Sequence, residues 1–362
     1  MTMRRRTILS WLRATEPRRL EQLWRRTDVV RQAHVGPAVH LRGLVEISNH
    51  CTRLCTYCGL RAPNRRVQRY RMTVDEVVAC AHKAVALGYG TVVLQSGEDP
   101  AWTVNTLSTL VARIKAETPL AITLSLGERP RAELAAWRAA GADRYLLRFE
   151  TSNAALLKRI HPPRRGVQCD RLALVSELRE LGYEVGSGVM VGIPGQGYED
   201  LATDLELFRR LDLDMIGVGP FLPHPDTPLG GAGAAAQAAG GQVPNSELMT
   251  YKVLALARLL CPKANIPSTT ALATLNHAAG RELGLVRGAN VVMPNLTPMA
   301  YRACYEIYPA KACLQEQVDE YDAYLKGRIA AIGREVGCGQ GSSPNWRTRQ
   351  VQTAPDVKVC NA

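Results

Sequence analysis

The chain has 362 residues, 46% of them apolar and 22% charged, with a formal net charge of +12. These proportions are those of a globular protein, and the length suits one large α/β barrel or two ordinary domains. No run of about 18 apolar residues is present, so a membrane-spanning helix is excluded.

Much of the positive excess lies in the first 35 residues, at Arg4–Arg6, Arg18, Arg19, Arg25 and Arg26, and another part lies between Arg61 and Arg71. Basic stretches can hold polyanions, but the aromatic share is only 6% and no nucleic-acid module pattern appears. A solvated basic helix face is the favoured reading, with a nucleic-acid-binding iron–sulfur sensor as the alternative from another class. Arg4–Arg13 is acid-poor, as organelle transit peptides are. From Leu20 the apolar residues recur at helical spacing and predict a folded helix.

An apolar run, Leu44–Ser48, predicts the end of a strand, and Cys51, Cys55 and Cys58 follow it on a polar loop. Three thiolates on one loop can hold three irons of a cubane cluster and leave the fourth iron open to a small molecule. Structural zinc takes four protein ligands, and no second Cys-x2-Cys or His-x3-His pair lies downstream. Ferredoxin loops supply four cysteines to a four-iron cluster. The other seven cysteines are scattered singly, and no apolar secretory segment opens the chain, so a reducing cytoplasm is expected.

Past the loop, strand-like runs at Thr91–Gln95, Ala121–Ser125, Arg144–Arg148, Glu184–Val191 and Met215–Gly219 alternate with helical patterns. Weaker strand candidates are Ile266–Thr270 and Asn290–Met293. The helices are expected at Thr73–Leu87, Thr103–Glu117, Arg131–Ala140, Asp170–Leu181, Tyr198–Leu211 and Ser246–Leu260. Thr73 and Glu76 have the spacing of a capping box. Eight strands in regular βα alternation predict a closed (β/α)8 barrel of TIM type, with an open doubly wound sheet as the alternative. Polar residues at the C-terminal ends of the strands are then placed to act, among them Gln95, Glu98, Ser125, Glu128, Arg148, Glu150, Thr269 and Thr270. Residues 231–243 predict a flexible Gly/Ala-rich loop, and the tail beyond Gly337 predicts a peripheral segment.

The Cys-x3-Cys-x2-Cys spacing, with Tyr57 before the last cysteine, resembles the signature of the radical S-adenosylmethionine (radical SAM) enzymes. Longer strings sharpen the likeness: Cys58-Gly-Leu-Arg61, Val93-Leu-Gln-Ser-Gly-Glu-Asp-Pro100, Gly141-Ala-Asp-Arg-Tyr-Leu-Leu-Arg148 and Met190-Val-Gly-Ile-Pro-Gly-Gln196. Together they resemble the HydE family, the radical SAM maturases of iron-only hydrogenases, related to biotin synthase and methylornithine synthase. The resemblance runs from about Leu20 to about Cys313.

It implies a single radical SAM barrel over residues 37–313, a basic N-terminal helical segment over 1–36, and a C-terminal helix and irregular tail over 314–362. Cys51, Cys55 and Cys58 would ligate one 4Fe-4S cluster. Tyr57, Gln95, Glu98, Glu150, Arg171 and Met190 would contact S-adenosyl-L-methionine, with Glu150 at its ribose or amino end and Arg171 on its methionine carboxylate. Ser125, Arg144, Thr269, Thr270 and Tyr301 would hold a small cysteine-derived substrate. For Thr269 and Thr270 a helix cap is the alternative, and for Glu150 an ion pair with Arg148. The implied partners are an external electron donor, such as flavodoxin or ferredoxin, and other hydrogenase maturases. An amino-acid mutase resembling methylornithine synthase is the alternative activity.

Around Pro163–Asp170 the helix start is about two residues longer than in that family. A second three-cysteine site of some members begins at the position of Cys313, but no further cysteine follows before Cys338, so no second cluster is expected. The first 18 residues precede the likeness and are expected to be dispensable for SAM cleavage.

Overall fold

The computed structural model describes residues 3–163, 170–230, 241–312, 314 and 317–353. Most of the predicted loop 231–243, the lengthened stretch after Pro163, and Cys313 therefore lie outside the described residues.

The described residues form eight strands: β1 (Ala38–Ser48), β2 (Thr91–Ser96), β3 (Ala121–Ser125), β4 (Arg144–Leu146), β5 (Glu184–Val191), β6 (Met215–Pro220), β7 (Val291–Val292) and β8 (Glu335–Val336). They run parallel in the order β6-β5-β4-β3-β2-β1-β7, and β8 pairs the start of β1. The central strands are buried almost throughout, as strands covered on both faces must be. Helices Val74–Ala86, Val104–Glu117, Arg131–Ala139, Arg171–Glu180, Tyr198–Arg210 and Glu247–Leu260 fall where the periodicity predicts them. The capping box is present, with Thr73 Oγ1 accepting from Glu76 N at 3.2 Å and Thr73 N donating to Glu76 Oε2 at 2.7 Å.

Two predicted staves differ from expectation. Residues 265–268 join the sheet edges through single bridges, Met215 with Asn265 and Pro267 with Val291. Pro267 has no N–H to extend a ladder, and Thr269 is already an N-cap, accepting from Leu272 N at 3.4 Å. The segment closes the cylinder without becoming a strand. β4 stops at Leu146 rather than Arg148, because the chain then turns so that Glu150 adopts a left-handed φ of 65°.

The N-terminus is more ordered than its composition suggests. Helices Arg5–Leu12 and Pro17–Val35 pack on the barrel, with Ile8, Leu12 and Leu23 fully buried. Burial of each such side chain stabilises by about 1.5–3 kcal/mol. Arg5 pairs with Glu199 at 3.0 Å and Glu206 at 2.7 Å, and Lys252 Nζ donates to Leu12 O at 2.7 Å and Ala14 O at 2.8 Å. Arg4–Arg13 is therefore not a free basic arm, because it packs on the barrel and Leu12 O holds the Lys252 ammonium.

The tail is not peripheral either. After β8, Gly337 N donates to Val39 O at 2.8 Å, and the chain crosses the N-terminal end of the barrel. There Gln340 O accepts from Arg144 Nη2 and Thr91 Oγ1, both at 2.9 Å, while Gly341 O accepts from Arg42 Nη2 at 3.0 Å and Asn265 Nδ2 at 2.9 Å. Ser343 N donates to Glu184 Oε1 at 2.8 Å. Buried side chains at the starts of the strands thus find their partners in the tail, which forms a floor. Burial, with Arg144 close by, lowers the Arg42 pKa to about 9.

Candidate active site

At the opposite, C-terminal end of the strands lies a cavity of about 330 Å³, lined by the ends of β1 to β6 and by the cysteine loop. In barrels this face carries the chemistry. Gly97, at the end of β2, lets the loop come close: a Cβ there would lie 2.3 Å from His50 O and 2.7 Å from Cys51 Cβ. Arg69 fastens the loop from outside, donating to Asn49 O at 2.5 Å, Leu60 O at 2.9 Å, Arg61 O at 2.9 Å and Asn64 O at 3.2 Å. Asp99 anchors its start, accepting from Ser48 Oγ at 2.6 Å and from Arg71 Nε at 2.7 Å.

Cys51, Cys55 and Cys58 are free thiols, and all three line the cavity. Burial raises each thiol pKa, that of Cys58 to about 12, and Cys55 is raised further by the charges its two neighbours would carry. Metal ligation requires the thiolates, so bound cations must favour the ionised form here. No three ligating side chains among the described residues surround a point suited to a single ion. A cubane instead takes one thiolate per iron, which fits three cysteines spread along a loop.

Beside the cysteines the wall carries a buried charged network. Arg53 Nη2 lies 3.0 Å from Glu128 Oε2 and 2.9 Å from His161 Nδ1, while its Nε lies 3.6 Å from Glu98 Oε2. Arg171 Nε donates to Glu128 Oε1 at 2.7 Å, Nη1 to Arg148 O at 2.7 Å, and Nη2 touches His161 Nε2. Burial, reinforced by the two guanidinium groups, lowers the His161 pKa to about 2, so its ring is neutral. Burial opposes the charge on Arg171, but Tyr57, Glu128 and Glu150 outweigh it and raise its pKa. Glu98 is raised by burial against the pull of Arg53.

Glu150 Oε2 lies 2.9 Å from Arg148 Nη2, and Tyr57 OH donates to Oε1 at 3.4 Å. A left-handed backbone at a non-glycine residue is costly and clusters at functional sites. Here it turns Glu150 toward the cysteine loop. Met190 and Tyr57 pack on a small apolar cluster with Ile193 and Phe221 at the same wall.

The structure therefore brings Tyr57, Gln95, Glu98, Glu150, Arg171 and Met190 together around the three cysteines, and adds Ser125, Thr269 and Thr270 from across the cavity. Thr269 also serves as the helix cap that its sequence context allowed. Two predicted substrate residues lie elsewhere. Arg144 is the first residue of β4 and sits in the floor, wholly buried, with Nε 2.6 Å from Glu184 Oε2. Tyr301 stacks on Tyr70 with ring centroids 4.6 Å apart and donates to Glu76 Oε1 at 2.8 Å, away from the cavity lining.

The lining residues without an assigned role in the site include the titratable side chains Glu46, Arg53, His161 and Lys311. Arg53 lies inside the cysteine motif and could have been suspected from that. His161 and Lys311 carry no local pattern.

A family model described as the radical SAM superfamily matches residues 45–208. The FeFe hydrogenase maturase subunit HydE of Thermotoga maritima is 44% identical over 317 residues, 88% of this chain and 87% of that protein. The 3-methylornithine synthase of Methanosarcina barkeri is 31% identical over 81% of this chain and 79% of its own length. Among solved structures, methylornithine synthase superposes with a TM-score of 0.77 at 26% identity, covering 93% of this chain and 95% of that one. The FeFe-hydrogenase maturase HydG from Carboxydothermus hydrogenoformans, at 16% identity and a TM-score of 0.72, shares the fold.

Proposed function

The chain belongs to the HydE family of radical SAM hydrogenase maturases, and we propose that it acts on a small cysteine-derived substrate, carrying organometallic iron, during assembly of the hydrogenase active site. The observation that carries this reading is the convergence of Cys51, Cys55 and Cys58 with Glu150 and Arg171 on one cavity at the C-terminal face.

Cys51, Cys55 and Cys58 would hold a single 4Fe-4S cluster, which when bound would supply the one-electron chemistry for reductive cleavage of SAM. The rest falls to the protein. Arg171 offers a planar guanidinium fork to the methionine carboxylate, held in place by Glu128 and the Arg148 carbonyl. Glu150 accepts from the amino group or ribose, steadied by Tyr57 and Arg148. Gln95 and Glu98 line the same rim, and Met190 adds apolar surface. Ser125, Thr269 and Thr270 face the substrate side of the cavity. The tail closes the floor at the far end of the barrel, so the cavity is reached from the C-terminal face.

An external reductant such as flavodoxin or ferredoxin supplies the electron, other hydrogenase maturases are the expected partners, and the cytoplasm is the expected setting. No helix among the described residues is long and apolar enough to cross a membrane.

Anaerobic reconstitution is expected to give about four irons per chain, and the reduced protein is expected to release 5′-deoxyadenosine from SAM. Cys55→Ala abolishes both. SAM cleavage retained in that variant would sink the proposal. The 31% identity to a methylornithine synthase keeps an amino-acid mutase as a second reading, and turnover of L-lysine without turnover of cysteine-derived ligands would favour it.

A further inference from the structure

One stretch of the cavity wall has no part in the assignments above. On β1, Glu46 lies opposite Gln95 of β2 in the strand register. Lys311, from the segment that follows helix Met299–Arg302, reaches it with Nζ 2.5 Å from Oε1. Both side chains are only 2% exposed, yet both line the cavity. Asn295 Nδ2 donates to the other carboxylate oxygen at 3.0 Å. Lys311 Nζ also donates to Tyr305 O at 3.2 Å, and its ammonium lies 5.1 Å from the centre of the Tyr305 ring.

An ammonium has three hydrogens, and the described residues take two of them. A buried ion pair is no more stabilising than apolar side chains of the same volume. What sets this pair apart from a structural one is its place on the cavity wall with an ammonium hydrogen left over, which positions it to meet what enters the cavity.

We infer that Glu46 and Lys311 form the recognition element for the amino-acid end of the substrate, Lys311 taking its carboxylate and Glu46 its α-ammonium. The inference rests on the radical SAM reading only for the place of the reaction. A ligand with both groups leaves no charge unpaired in the wall. A ligand lacking either group leaves a buried charge without its counterpart, and sites built this way reject such analogues strongly. Arg144, expected from the sequence to do this work, is in the floor and cannot.

The test uses S-methyl-L-cysteine, whose thioether removes thiolate binding to iron, in anaerobic equilibrium dialysis against the reconstituted protein with SAM. 2-(Methylthio)ethylamine lacks the carboxylate, and N-acetyl-S-methyl-L-cysteine lacks the ammonium. Both are expected to bind at least tenfold more weakly than the probe. Lys311→Met is expected to weaken the probe at least tenfold and to erase its advantage over the amine. Should that variant misfold, Glu46→Gln with Lys311→Met keeps the wall neutral and is expected to lose discrimination against both analogues. Equal affinity for the three compounds, retention of none of them, or unchanged discrimination in the folded variants would overturn the inference. Release of 5′-deoxyadenosine by the same wild-type preparation keeps the parent reading standing in each of those cases, and its absence there counts against the parent reading instead.

Discussion

Two arginine–glutamate pairs of nearly identical appearance occupy opposite ends of this barrel. In the floor, Arg144 meets Glu184 at 2.6 Å, and at the mouth Arg171 meets Glu128 at 2.7 Å. All four side chains are buried. They differ in what the remaining guanidinium hydrogens face. Arg144 gives the rest to Thr91 Oγ1, Gln340 O and Ser342 Oγ, all protein groups fixed by the tail. Arg171 faces the cavity and leans on His161, whose other ring nitrogen faces Arg53. A neutral imidazole accepts at only one nitrogen, so although both guanidinium groups also pair with Glu128, one of the two N–H groups aimed at the ring finds no acceptor there and is free to turn to an anion. The same pair of residue types is therefore a closed structural clasp in one place and an open receptor in the other.

Exchanging the residues tests this contrast, and the largest effect is expected at the floor. Arg144→Met leaves Glu184 buried and unpaired and is expected to destabilise the fold by about 3–5 kcal/mol, read by chemical denaturation under anaerobic conditions. SAM cleavage per folded molecule is expected to stay within about twofold. A loss of cleavage without loss of stability would return Arg144 to the active site.

Arg171→Met is expected to show the opposite signature. Removing the proposed carboxylate partner of SAM is expected to lower kcat/KM for SAM by about 10²-fold, equivalent to about 2.7 kcal/mol. Single-turnover release of 5′-deoxyadenosine measures this, and a variant that cleaves SAM normally would make Arg171 a second clasp.

The smallest effect concerns the support of the mouth. Asp204 Oδ1 accepts from Ser152 N at 2.6 Å and so pins the turn that follows Glu150. Burial raises its pKa from 3.8 to about 7, against the Ser152 hydrogen bond, which lowers it. The native state therefore holds a proton that the unfolded chain releases. Asp204 contributes most below pH 4, and its contribution is lost as the pH rises to about 7. Asp204→Asn keeps the acceptor and removes that dependence, with a gain on the order of 1 kcal/mol at pH 8. Thermal melts of both proteins from pH 5 to 8 measure it. Parallel curves would show that Asp204 is ionised in the native state.

The contrast also explains what could be read from the chain beforehand. The cysteine loop, most of the alternating strands and the capping box are local patterns, and these appear where the sequence puts them. Glu150 and Arg171 reach the cavity as the family likeness implies. Arg144 and Arg148 lie at the two ends of one short run, and strand direction alone puts Arg148 at the mouth and Arg144 in the floor; only the family likeness places Arg144 at the substrate. The mistake over the tail has another origin. Residues 337–343 have no periodicity because they serve through backbone carbonyls and small side chains rather than through an apolar face. Glu46 and Lys311 are 265 residues apart, and only the closed barrel brings them together.

The tail that forms the floor also imposes an order on biogenesis. Residues 335–343 are translated after every stave, whereas the cysteine loop emerges early, directly after β1. Synthesis runs from the N-terminus, whereas a domain folds as a unit, so until the tail arrives Arg42 and Arg144 lack the carbonyls that satisfy them. Completion of the vessel thus waits on a late-made part, and a ribosome-bound nascent chain holds the cysteine loop before it holds a sealed barrel.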